Sequence, residues 1–107
     1  MLLLFMVEIK KLMNDIKRIA ADYQEKYKIN LDDDWYIFKV QEELGELIQK
    51  YLMVTGRGRQ KGMSRDEIWN DFEDEAADTL CILLLLIEHF GIDIEQAIER
   101  KWLVHLE

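Results

Sequence analysis

Apolar positions recur along the chain with the period of an α-helix. Phe5, Ile9, Leu12, Ile16, Ile19 and Tyr23 alternate steps of four and three, which is one stripe on a helix of about 3.6 residues per turn. A second row, Met6, Met13, Ala20 and Tyr27, widens it. The pattern predicts a first helix ending near Lys28. Asp32-Asp33-Asp34 then stands before a second periodic stretch, as an N-cap and as negative charge at the positive end of a helix dipole. That stretch turns Ile37, Val40, Leu44, Leu47, Ile48, Tyr51 and Leu52 inward and stops at Gly56.

A glycine-rich basic loop, Thr55 to Met63, follows. Ser64-Arg-Asp-Glu67 has the capping-box pattern and opens a third helix that runs to about Phe90 and stops at Gly91. Asp93-Ile-Glu-Gln96 repeats the pattern and opens a fourth helix, ending near His105. The expected fold is all-α, a four-helix bundle in one domain over residues 1–107. The segment Leu80–Ile87 is apolar on every side of its helix. A small four-helix monomer has few layers to cover it, so a subunit interface is expected, with a homodimer or homotetramer as the assembly.

Composition narrows the picture. The chain has 107 residues, no proline and five glycines, which suits long helices and not a fold of many tight turns. The lone Cys81 rules out an intramolecular disulfide and a cysteine-rich zinc site, and points to a reducing, cytoplasmic setting. A formal charge of −8 disfavours a nucleic-acid duplex as partner. Leu80–Ile87 is too short to span a bilayer, which needs roughly 20 apolar residues, so no membrane partner is expected. Met1–Val7 has no basic start and no small-residue cleavage site, and so does not read as a secretory leader.

The excess acid is not spread evenly. On helix two the apolar arc centres on Val40, Leu44 and Tyr51; Glu43 lies about 80° from that centre and Glu46 about 140°, with Glu42 nearly opposite. On helix three the arc centres on Phe72, Ala76 and Leu83; Glu75 and Asp78 lie at about the same two angles, in the same sense. The two helices superpose at an offset of 32 residues, Glu43 on Glu75 and Glu46 on Asp78. Packed as neighbours they bring four carboxylates into one small volume. Such a cluster repels itself unless it is protonated or bridged by cations. Oxygen-only donors suit Mg²⁺ or Mn²⁺. No histidine falls in the constellation, which argues against zinc, and neither His89 nor His105 has a glutamate three residues before it, as a di-iron bundle requires. A solvated acidic face remains the alternative for each helix taken singly.

These residues carry a family resemblance. Glu42-Glu43-Leu44-Gly45-Glu46, 28 intervening residues and Glu75-Ala76-Ala77-Asp78 resemble the E-E-x-x-E … E-x-x-D signature of MazG-like, all-α nucleoside triphosphate pyrophosphohydrolases. The four-helix order, Gly91-Ile-Asp-Ile-Glu before the last helix, and Ala97-Ile-Glu-Arg-Lys-Trp102 are also similar to that family, and the match covers most of the chain beyond about residue 33. The resemblance implies a Mg²⁺-dependent hydrolase that cleaves a nucleotide between its α and β phosphates. It implies Glu43, Glu46, Glu75 and Asp78 as metal ligands. The basic loop is longer than in compact members, and the chain ends soon after Trp102, which bears on substrate choice.

Within that reading, Glu42 or Glu46 is the candidate proton acceptor for the attacking water. Lys50, Arg57, Arg59, Lys61 and Lys101 are candidate phosphate contacts. Lys39 and Lys50 are equally placed as salt-bridge partners of nearby acids, and Lys101 suits the end of a helix dipole. Trp35, beside the acidic cap, is the candidate base contact, whereas Trp69 lies on the apolar arc and is expected in the core, as is Cys81. The rival reading is a non-catalytic helical dimerisation or regulatory module, which explains the apolar run but not the duplicated acids.

Overall fold

In a computed structural model the chain is all-helical, with no strand among the described residues. The structure describes the backbone of residues 2–106 and side chains from Glu8 to Leu106. Met1 and the side chains of Phe5 and Met6, which belong to the first stripe and to the leader-like start, lie outside that description. Four α-helices follow in order: α1 Leu2–Tyr27, α2 Asp33–Val54, α3 Arg65–His89 and α4 Ile94–Lys101, closed by a 3-10 helix, Leu103–Leu106.

The helix ends form as the capping chemistry dictates. The Asp32 carboxylate accepts from the Trp35 amide at 2.8 Å. At the start of α3 the Glu67 amide donates to the Ser64 hydroxyl and the Ser64 amide donates to the Glu67 carboxylate, so both halves of the capping box close. Those contacts hold the Glu67 carboxyl below its ordinary range. Asp93 accepts from the Gln96 amide and starts α4. Gly56 and Gly91 take left-handed backbone after α2 and α3, at φ 76° and 63°, where a side chain would be strained. α4 is shorter than its apolar period suggests: it stops at Lys101, and the chain tightens into the 3-10 turn, with the His105 amide donating to the Trp102 carbonyl.

The helices form two compact units. One joins the chain up to Leu31 to the residues from Leu84 onward. Its core includes Met13 and Ile16 of α1 with Leu84 and Leu85 of α3, and Lys17 pairs with Glu88 at 2.9 Å. The other unit, Asp32–Leu83, is the antiparallel pair of α2 with most of α3. Contacts across this pair run in opposite directions along the two helices, from Lys50 with Asp71 to Glu43 with Thr79.

The face that α2 buries differs from the apolar arc. Tyr36, Glu43 and Met53 are its buried residues, while Ile37, Leu44, Ile48 and Tyr51 are exposed, Ile48 to 58%. On α3, Ile68 and Glu75 are buried while Leu80, Leu83 and Trp69 are exposed; Trp69, expected in the core, is 50% exposed. Within this unit each helix is therefore rotated so that its border glutamate faces its neighbour and its apolar stripe does not. Leu80–Ile87 is buried at Leu84 and Leu85 and open at Leu80 and Leu83, and Cys81 is half-buried.

Candidate metal centre

The border acids meet at the middle of the α2–α3 pair. Glu43, Glu75 and Asp78 each offer a carboxylate oxygen, and the three oxygens lie within 4.8 Å of one another. Helical spacing places them: Glu75 and Asp78 are three residues apart, about one turn, on one face of α3 opposite Glu43 on α2. Thr79 fixes the level. Its hydroxyl donates to the Glu75 carbonyl at 2.8 Å and lies 3.5 Å from the Glu43 carbonyl.

Burial makes the cluster unusual. Glu43 is 7% exposed and Glu75 8%. The Oε2 atoms of both are buried, and no donor reaches either. A buried carboxylate oxygen without a partner is costly, and two of them side by side are more so. Burial first, and then the nearby carboxylates of Glu43 and Glu46, push Glu75 up to about 8. With no donor at either Oε2, a shared proton or a cation is what would join these two oxygens. Asp78 is exposed and leaves the cluster open to solvent on one side. Burial, with Asp78 adding to it, raises the neighbouring Cys81 thiol.

The remaining candidates divide. Glu46 is half-buried beside the triad, close enough to act on Glu75. Glu42 points outward and accepts from Lys39 at 3.2 Å. Lys39 also lies 3.6 Å from Glu43, and Lys50 lies 3.5 Å from Asp71, so both lysines are salt-bridge partners of nearby acids. The acids around Lys39 raise its ammonium above the ordinary value, although burial opposes them. Arg57 lies over the Tyr51 ring, 5.3 Å from its centre, and donates to Thr55. Arg59 and Lys61 share a small cleft with Lys50. Trp35 is half-buried, edge-on to Tyr36. Lys101 belongs to the other unit, in the last turn of α4.

The donor set fits a hard divalent cation. It offers oxygen only, from three carboxylates, two of them with an orphaned buried oxygen. Mg²⁺ and Mn²⁺ take such ligands and keep open positions for water and phosphate. The sequence pattern makes Glu46 the equivalent of Asp78; in the structure Asp78 joins Glu43 and Glu75 within 4.8 Å and Glu46 stands beside them. The chain matches no family model, no curated protein and no solved structure.

Proposed function

We propose that the chain is a Mg²⁺-dependent nucleoside triphosphate pyrophosphohydrolase, which converts a nucleoside triphosphate and water into the monophosphate and pyrophosphate. One observation carries the reading: Glu43 and Glu75 are buried against each other with unpartnered oxygens, beside an exposed Asp78. A purely structural pair of that kind would be replaced at a gain in stability by apolar residues. The resemblance of the two acidic motifs supplies the reaction class.

Glu43, Glu75 and Asp78 would hold the metal. When bound, Mg²⁺ or Mn²⁺ supplies neutralisation of phosphate charge and a more acidic water. Glu46, outside the triad but close enough to act on Glu75, would accept the proton of the attacking water. The water oxygen bonds to the α-phosphorus as the bond from that phosphorus to the bridging oxygen breaks, and pyrophosphate leaves. Glu42, engaged by Lys39 on the outer side, holds that lysine's charge near the site and takes no proton itself. The reading places the enzyme in the cytoplasm, with nucleotide-pool cleansing as its role.

The assembly belongs to the same reading. The apolar stripes of α2 and α3 lie at matching angles on an antiparallel pair, so both open on one side of it. Tyr51 and Phe72, 6.5 Å between ring centres, join them, and Trp69 continues the patch 5.4 Å from Phe72. A second copy covering that face gives the homodimer or homotetramer. The same face would serve a dimerisation module without chemistry, a reading that leaves the orphaned carboxylates unexplained. A panel of canonical, deoxy and damaged nucleoside triphosphates with Mg²⁺, scored for pyrophosphate, tests the function. Release that stops with EDTA and with Glu43→Gln supports it, and no release from any substrate defeats it.

A further inference from the structure

The loop between α2 and α3 is built and not merely a tether. The amides of Arg57 and Gly58 both donate to the Leu52 carbonyl at 2.9 Å. The Gln60 side-chain amide donates to the carbonyls of Met53 and Gly58, at 3.1 and 2.9 Å. Gly58 passes so close to the end of α2 that an added Cβ would stand 3.3 Å from the Met53 nitrogen. Lys61 is held in left-handed backbone, at φ 54°, a conformation uncommon for a residue with a side chain.

This fold of the loop sorts its cations. Arg57 goes to the Tyr51 ring. Arg59 and Lys61 go to a cleft of about 190 Å³ with Lys50. Among the described residues no acid pairs with Arg59 or Lys61, while Lys50 is paired with Asp71 at 3.5 Å. Lys50 stands four residues beyond Glu46, about 6 Å along the helix. The cleft therefore lies next to Glu46 and about two helical turns, roughly 10 Å, beyond Glu43. The other end of the carboxylate cluster has no equivalent: the 32-residue offset pairs Lys50 with Ile82, and Lys39 is already engaged by Glu42 and Glu43.

We propose that the Lys50–Arg59–Lys61 cleft binds the terminal phosphates of the substrate, so that the β and γ phosphates lie toward the loop and leave from that end as pyrophosphate. The nucleoside then points toward the α2 N-terminus, the end that carries Trp35. This polarity rests on the reading of the carboxylates as a metal site for triphosphate hydrolysis. It makes the protein select chains of three phosphates over two, because a diphosphate whose α phosphate sits at the carboxylates leaves the cleft half filled. The bound loop geometry limits the ordering cost of the contacts.

Inorganic tripolyphosphate is the probe, titrated calorimetrically into the full chain in EDTA and again in Mg²⁺. The variants are Arg59→Ala with Lys61→Ala, and Arg65→Ala as a control that removes a nearby charge lining a different cavity. The expected result is a loss of about tenfold in affinity for the double variant in both buffers, with the control within about twofold. The Mg²⁺-induced rise in melting temperature stays as in wild type, and the preference for nucleoside triphosphate over diphosphate falls. Equal tripolyphosphate affinity in wild type and double variant overturns the proposal, even when Mg²⁺ still stabilises the protein. The specific loss in EDTA without any Mg²⁺ stabilisation upholds the cleft and defeats the metal reading instead.

Discussion

Glu43 and Glu75 face one another across α2 and α3, and each carries a buried oxygen that no hydrogen-bond donor reaches. Replacing one acid by its amide supplies the missing donor and removes a like charge. Glu75→Gln is therefore expected to raise the stability of the metal-free protein at pH 9, where the Glu75 carboxyl is ionised, by about 1–2 kcal/mol, several degrees in Tm for a chain of this size. The same variant should lose the stabilisation by Mg²⁺ and nearly all turnover. Melting curves in EDTA and in Mg²⁺, paired with pyrophosphate release, check all three. A variant less stable than wild type in EDTA would show that the pair is not in repulsion.

The raised Glu75 carboxyl sets a pH dependence. Its value in the folded protein is about 8, against an ordinary 4.5. Between those values the folded chain holds a proton that the unfolded chain has released. Stability without metal thus falls as pH rises through this window, by on the order of a few kcal/mol, and the cost is absent below the lower value. Mg²⁺ competes with that proton, so its stabilising effect grows with pH across the same range. Denaturant unfolding from pH 5 to pH 9 should show stability falling with pH in EDTA and nearly independent of pH in saturating Mg²⁺.

Thr79 sets the depth at which the two helices meet. Thr79→Val keeps the shape and removes the hydroxyl shared by the Glu75 and Glu43 carbonyls. A loss of about 1 kcal/mol in stability is expected, since both carbonyls keep their helical partners. Mg²⁺ affinity should fall with it, by about threefold, as the carboxylates lose register. Calorimetric Mg²⁺ titration of the variant measures this, and an unchanged affinity would mean that Thr79 serves packing alone.

Ile48 and Leu80 are exposed on the single chain, and a substitution to lysine at either should cost a monomer under about 0.5 kcal/mol. In an assembly through the α2–α3 face the same change buries an unpaired charge and separates the copies. Sedimentation velocity at micromolar concentration distinguishes the two. Wild type is expected to sediment as a dimer or larger, and Ile48→Lys with Leu80→Lys as a folded monomer. A wild-type monomer would remove the assembly from the proposal.

The helix boundaries were legible because they rest on local chemistry. Asp32, the Ser64–Glu67 pair, Asp93, Gly56 and Gly91 each satisfy or terminate a backbone within a few residues. The rotation of α2 and α3 was not legible. Periodicity locates an apolar stripe but not the neighbour that covers it, and here α2 and α3 meet along their acids, leaving Ile37, Leu44 and Ile48 outside. For the same reason Trp69 looked like core. The acids themselves stood out through their repeated spacing, whereas the sorting of Arg57 from Arg59 and Lys61 depends on Gly58 against Met53 and on the backbone at Lys61, tertiary details that no spacing encodes.

The matching acids on α2 and α3 have a consequence for the connection between them. An α3 helix finds the same complementary surface on the α2 of any copy of the chain, so what keeps the pair within one molecule is the turn, with its Gln60 clamp and left-handed Lys61. A turn shortened past the point of reversal leaves the helices to exchange between chains, rebuilding each carboxylate cluster from two molecules. The ten residues from Thr55 to Ser64 thus decide whether the cluster belongs to one chain or is shared by a swapped pair.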